Sequence, residues 1–301
     1  MAGADPRSLK PEGWPGAPSA RERAGGLALR AANLLTGRRT IGLEYAPADP
    51  DASRWGWGAP TNSALNALLA TGSDRYRATL DVIAASADYL DAIPRERAAP
   101  GEPYWGQDWF TGVDAAALYT FVRTRAPHRY YEVGSGNSTL FARRAARDAG
   151  NALHILSVDP APRAEVDAVC DEIVRTPFES SDPVRLLALE AGDILLVDSS
   201  HYALQNSDVV AFFFDVLPHL AAGVLVGVHD IFLPDDYPWW VAGRHYSEQY
   251  LVAAWLLGAG ADRVVLPTHF ACTDPHLRAH TDAVWPVSGV LPYGSCLWFE
   301  T

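Results

Sequence analysis

Arg129-Tyr130-Tyr131-Glu132-Val133-Gly134-Ser135-Gly136-Asn137-Ser138-Thr139-Leu140 reads as a short strand, a tight glycine turn and the first turn of a helix. Tyr130, Tyr131 and Val133 favour extended backbone. Gly134 and Gly136 permit positive φ and let a ligand come close to the main chain. Asn137 or Ser138 can cap a helix whose apolar residues are Leu140, Phe141 and Ala145. A strand that feeds a glycine loop at a helix N-terminus is the usual entry to a nucleotide-like ligand site in an α/β sheet.

The spelling of the loop narrows the ligand. A dinucleotide fingerprint needs a small residue where Thr139 stands, so that motif is broken. The chain also lacks the G-x-x-x-x-G-K-[ST] phosphate loop. What remains is an acid on the strand, Glu132, followed by Gly134-Ser135-Gly136-Asn137-Ser138. This resembles the first motif of class I S-adenosylmethionine (SAM) methyltransferases. The resemblance implies SAM as the methyl donor, held by Glu132, Gly134, Ser135, Gly136 and Ser138. It implies that Glu132 lies near the methionine portion.

Downstream, strands and helices alternate, the pattern of a mostly parallel sheet with helices on both faces. Strands are expected at about 130–133, 154–158, 172–175, 193–198, 223–228 and 263–266, with a last extended stretch at 295–299. Helices are expected at about 137–149, 164–169, 207–220 and 245–258. The fold class is therefore α/β and Rossmann-like, with a helical extension before it. Residues 1–100 form that extension and residues 101–301 the sheet domain. The first 18 or so are rich in proline and expected to be flexible. A helix is expected after Ser19, ending near Gly37, and two more between Thr61 and Pro94.

In an open α/β sheet, ligands sit beyond the carboxyl ends of the strands. Those ends carry Glu132, Asp159, Glu179, Asp198 with His201, and His229 with Asp230. Asp159 can accept both hydroxyls of a ribose; the alternative is an acid that caps the following turn. Phe178 and Glu179 follow the third strand, where the methyltransferase resemblance implies adenine contacts. Asp198, His201, His229 and Asp230 are the catalytic candidates. Carboxylates and imidazoles converging from two strand ends suit Mg²⁺ or Mn²⁺, with Asp198, His229 and Asp230 as ligands. Such an ion would acidify an acceptor hydroxyl. Without it, His201 or His229 would act as general base.

A wider set of marks resembles one poorly characterised branch of class I methyltransferases, often found near sugar and cell-envelope genes. These are Trp109-Phe110, Asp114-Ala115, Val197-Asp198-Ser199-Ser200-His201, Val228-His229-Asp230-Ile231-Phe232-Leu233-Pro234 and Glu248-Gln249-Tyr250-Leu251. The expectation is O-methylation of a small hydroxylated acceptor, natural-product-like or a sugar or polyol. The loop with Asp235, Asp236, Tyr237, Trp239, Trp240, Arg244, His245 and Tyr246 would lie above it. Three other functions use the same residues. One is a nicotinamide oxidoreductase, one an iron hydroxylase on His201, His229 and Asp198 or Asp230, and one a SAM- or carbohydrate-binding module without catalysis.

Bulk properties agree with a small-molecule enzyme. Of 301 residues, 49% are hydrophobic and 20% charged, an ordinary globular composition. A net charge of −12 argues against nucleic acid as a general partner. No run of about 18 uncharged apolar residues signals a membrane span. Three cysteines without a C-x-x-C pair imply neither disulfides nor zinc, and a reducing cytoplasmic setting is expected. Homo-oligomerisation is left open by the sequence.

Overall fold

The computed structural model describes residues 52–162 and 164–301, with a few scattered positions before them. Met1–Pro50 and Asp51–Thr301 are separate compact units. In the first, Ala28, Ala31, Leu34 and Leu35 are helical; the rest of the helix expected before Gly37 and the proline-rich start lie outside the described residues.

In the second unit, seven strands form one sheet: β1 Arg129–Val133, β2 His154–Val158, β3 Glu172–Val174, β4 Ile194–Val197, β5 Leu225–Val228, β6 Val264–Pro267 and β7 Leu297–Glu300. Their order is β3-β2-β1-β4-β5-β7-β6. β1 to β5 pair in parallel, and β7 runs antiparallel to both β5 and β6. The 3-2-1-4-5 order is that of a doubly wound sheet, so the order in which strands are added reverses between β1 and β4. The central strands β4 and β5 are buried along their whole length, which explains their unbroken apolar runs. Gly227 of β5 faces Trp298 of β7; a Cβ on it would stand 2.6 Å from the indole ring. That glycine makes room for a fully buried tryptophan.

The helices are α1 Ser63–Ala70, α2 Ser73–Ala84, α3 Ala87–Asp91, α4 Gly112–Arg125, α5 Asn137–Ala149, α6 Asp208–Ala211, α7 Trp239–Ala242, α8 Glu248–Ala259, α9 Thr268–Thr273 and α10 Pro275–Val284. α1 to α3 belong to the same compact unit as the sheet, and Arg75 of α2 donates to the carbonyls of Ala261 and Val264 at the start of β6. Several expected helices differ. That expected at 164–169 is a single 3₁₀ turn, Asp167–Val169. That expected at 207–220 starts as α6, widens into a π turn over Phe212–Val216 and ends in a 3₁₀ turn holding Pro218, which has no N–H to continue the ladder. That expected at 245–258 begins at Glu248. α9 and α10 were not expected from periodicity. No helix among the described residues is long and apolar enough to cross a membrane.

Candidate active site

The carboxyl ends of the parallel strands share one edge because the hydrogen-bond ladder continues past them. Gly134 N–H donates to Val158 O, Asp159 N–H to Val174 O, Asp198 N–H to Val133 O and His229 N–H to Val197 O, all at 2.8–3.0 Å. Each residue that follows a strand is thus held by the last carbonyl of its neighbour. A sequence in which acids and histidines follow the apolar runs therefore gathers them on one line.

Two cavities open along this edge. The first, of about 310 Å³, is walled by Gly134, Ser135, Gly136, Ser138, Asp159, Phe178 and Glu179, among others. It contains every expected donor-binding residue except Glu132. Gly134 has φ +78°, in the region that favours glycine. A Cβ built on Gly136 meets nothing within 4 Å, so the loop leaves main chain open to a ligand. A nucleoside-sized ligand fits both the volume and this bare backbone.

Glu132 does not line the cavity; it lies beneath the loop, with none of its surface exposed. Tyr130 Oη donates to its Oε1 at 2.8 Å, Thr139 Oγ1 to its Oε2 at 2.5 Å, and Ser138 Oγ to its Oε1. Gly136 N–H in turn donates to Thr139 Oγ1. The expected ligand contact is therefore corrected: Glu132 is the buried brace of the glycine loop. Burial raises its pKa to about 8, against the opposing effect of the three hydroxyls.

Asp159 faces the cavity but also holds the backbone. Its Oδ2 accepts from Ser135 N–H at 2.7 Å and its Oδ1 from Ala161 N–H at 2.8 Å. An ionised carboxylate has about four acceptor positions, so ligand hydroxyls remain within its capacity. The capping reading is what these bonds show, and the carboxylate still borders the cavity.

The second cavity, of about 230 Å³, is walled by Asp114, Asp198, His229, Asp230, Trp109, Trp240, Arg244 and Tyr293, among others. Asp198 and Trp109 line both cavities. Around Asp198, two imidazoles meet several carboxylates. His229 Nδ1 lies 3.2 Å from Asp198 Oδ1 and 3.6 Å from Asp230 Oδ1, and its Nε2 lies 3.5 Å from Asp114 Oδ2. His201 Nε2 lies 3.3 Å from the same Asp198 oxygen and 3.5 Å from Asp230 Oδ2; its Nδ1 lies 2.8 Å from Glu248 Oε2.

Burial alone would lower both imidazole pKa values, but the facing acids outweigh it. His201 is held well above the ordinary range by Asp198 and Glu248, and His229 by Asp198 and Asp230. Asp198 is held well below the usual carboxylate range: burial would raise it, and the two histidines prevail. His201 and Asp230 both have positive φ, +62° and +56°. Non-glycine residues in that region carry strain and cluster where side chains must be aimed.

Among the described residues, one group could hold a metal ion: Asp198, His201 and Asp230, with ligand atoms within 4.8 Å of one another. The expected set had His229 in place of His201. His229 is instead pinned between Asp198 and Asp114. Two carboxylates and one imidazole fit Mg²⁺ or Mn²⁺. The iron-hydroxylase alternative requires two imidazoles and one carboxylate, which is not the group assembled.

Asp114, which the sequence marks as a motif residue at the start of a helix, also anchors this region. Its carboxylate accepts from Ser295 N–H, Cys296 N–H and Thr268 Oγ1, tying α4 to β7 and α9. The loop after β5 is clasped from the other side. Asp236 accepts from Arg54 N–H, Trp57 Nε1 donates to the Asp236 carbonyl, and Ser53 Oγ donates to the Tyr237 carbonyl. Trp57 also packs edge-on against Trp240, with ring centroids 4.9 Å apart.

Comparison with known proteins finds a domain match and distant structural likenesses. Residues 131–231 match the model of a methyltransferase domain, from β1 to just past β5. No curated protein matches the chain. Similar solved structures include an O-methyltransferase from Bacillus cereus in complex with SAH, at 15% identity and a TM-score of 0.33, covering 63% of this chain and 86% of that one. A second is SAH-bound PaMTH1, a methyltransferase from Podospora anserina, at 17% identity and a TM-score of 0.36, covering 70% and 92%. A third is cofactor-bound Rv0187 from MTB, at 13% identity and a TM-score of 0.32, covering 73% and 88%. The fold rests on the strand order, not on these distant likenesses. Strand order and matched domain agree in part of the chain: a Rossmann-like sheet carries a methyltransferase domain at residues 131–231.

Proposed function

We propose that the chain transfers a methyl group from SAM to a hydroxyl of a small acceptor, a sugar or another polyol. The observation that carries this reading is the junction of the two cavities at Asp198 and Trp109. Donor and acceptor bound on either side of Asp198 would meet where the acids and imidazoles are densest.

On the donor side, the Gly134–Gly136 loop supplies bare backbone, Asp159 accepts from the ribose hydroxyls, and Phe178 and Glu179 close around the adenine. On the acceptor side, Trp109, Trp240 and Tyr293 offer flat faces to a sugar ring or apolar body. The acceptor oxygen attacks the methyl carbon in line with the departing sulfur, whose C–S bond breaks with its electron pair. The sulfonium becomes a neutral thioether. The hydroxyl proton passes to a carboxylate of the cluster, Asp198 or Asp230, because His201 and His229 already carry their protons. Positioning and proton removal are the two contributions such a displacement needs. Asp198, His201 and Asp230 would hold Mg²⁺ or Mn²⁺, which would lower the hydroxyl pKa when bound.

The test is methyl transfer from isotopically labelled SAM to a panel of sugars and polyols, with and without Mg²⁺. Label on acceptor oxygen, lost in His229→Asn while S-adenosylhomocysteine (SAH) still binds, is the expected result. Label found only on nitrogen or carbon would contradict it. SAH binding with no transfer to any acceptor would favour the non-catalytic module.

A further inference from the structure

Glu248 has no role in the reading above, yet it is the most deeply buried acid near the acceptor cavity. It opens α8, and its side chain is entirely shielded from solvent. One oxygen, Oε2, lies 2.8 Å from His201 Nδ1, and the other has no hydrogen-bond partner. A buried carboxylate with a single partner is costly, so its one contact needs a reason.

The surrounding contacts supply it. Ser247 N–H and Glu248 N–H both donate to the His201 carbonyl, at 2.8 and 3.1 Å. Ser247 Oγ accepts from Ala203 N–H, and the Tyr246 ring packs on the imidazole with centroids 4.4 Å apart. The start of α8 thus grips His201 by its backbone, ring face and Nδ1 together. This grip sustains a non-glycine residue at φ +62°.

We propose that Glu248 is the positioning residue of the acceptor-side cluster. By accepting the Nδ1 proton it fixes the orientation of the His201 ring, so that Nε2 faces Asp198 and Asp230. The proposal rests on the methyltransfer reading for its purpose, not for its geometry. An imidazole whose second nitrogen must serve a ligand or a proton needs its first nitrogen held, and a carboxylate is the common holder.

The test is long-range ¹⁵N–¹H spectroscopy of full-length, histidine-labelled protein, with His201 assigned from the spectrum of His201→Gln. Wild type, Glu248→Gln and Glu248→Leu are compared, and SAH is titrated into each. The expected result is a protected Nδ1–H resonance from His201 in wild type. It persists in Glu248→Gln, whose amide oxygen can accept the same proton, and is lost in Glu248→Leu. SAH affinity should change less than about threefold, because Glu248 does not line the donor cavity. Absence of a protected Nδ1–H in wild type overturns the proposal, even should Glu248→Leu fail to fold. Its persistence in a folded Glu248→Leu also overturns it. The expected His201 pattern in a protein that binds no SAH supports the proposal and contradicts the donor assignment instead.

Discussion

The backbone carbonyl of Asp198 occupies the space beside Gly134: a Cβ on residue 134 would stand 1.8 Å from that oxygen. The glycine loop after β1 and the acid after β4 are therefore packed main chain to main chain. Gly134→Ala would add a side chain at φ +78° and push the two strand ends apart. The expected loss is on the order of 3 kcal/mol or more, read as a fall in the midpoint of thermal or urea unfolding. Gly136→Ala makes the informative contrast, because its Cβ would meet no protein atom. That variant should unfold like wild type but bind SAH at least tenfold more weakly by calorimetry. Equal SAH affinity in Gly136→Ala would show that no ligand passes close to this loop.

Glu132 makes stability depend on pH in a direction set by its burial. Its folded pKa is raised to about 8 from an ordinary value near 4.5. The protonated form is therefore favoured by folding. Its contribution is fully present below about pH 4.5 and is lost as pH rises toward 8. Glu132→Gln stays neutral throughout. The wild-type melting temperature should fall relative to Glu132→Gln between pH 5 and 8, then run parallel to it above about 8. Curves parallel over the whole range would mean that Glu132 is ionised in the folded protein.

Substitutions at Asp159 and His229 should separate donor binding from acceptor chemistry. Asp159→Asn keeps an oxygen to accept one of the two backbone N–H bonds, but loses a charged acceptor for the ligand hydroxyls. It should weaken SAH binding about tenfold. His229→Asn removes an imidazole that lines only the acceptor cavity, so SAH binding should stay within about threefold of wild type while transfer is lost. Isothermal titration and labelled-methyl assays distinguish the two. The reverse pattern would exchange the two cavities.

The strap at residues 53–57 should matter to the acceptor side alone. Trp57→Ala removes the hydrogen bond to the Asp236 carbonyl and the ring contacts with Trp240, Phe232 and His269. Trp57 is more than one-third exposed, so the loss of stability should be about 1–3 kcal/mol, below that of a buried tryptophan. Proteolysis should become faster near residues 235–246, with SAH affinity unchanged. Unchanged cleavage there would mean that the loop holds its own shape.

Much of this arrangement was legible from local pattern. The apolar runs at 194–197 and 225–228 and the acids that follow them required only their unbroken apolar spelling and the rule that ligands sit at strand ends. Glu132 looked available for a ligand because its position on the strand was local, whereas its three hydroxyl partners were a matter of packing. The exchange of His201 for His229 in the metal-compatible group has the same origin. Only the fold reveals that Asp114, far back in the chain, claims one side of His229. α10 was different, since Asp274 followed by Pro275 is a helix-start signature present in the sequence. Its Asp274 side chain accepts from His276 and Leu277 N–H, as such a cap should.

The central claim is that the cavity over the β1 loop holds a sulfonium nucleoside beside the cluster around Asp198. Calorimetric titration of the purified full-length chain with SAM, SAH and NADH tests it most directly. One equivalent each of SAM and SAH should bind, both weakened by Gly136→Ala, with no heat from NADH. Saturable NADH binding with none for SAM or SAH would contradict it.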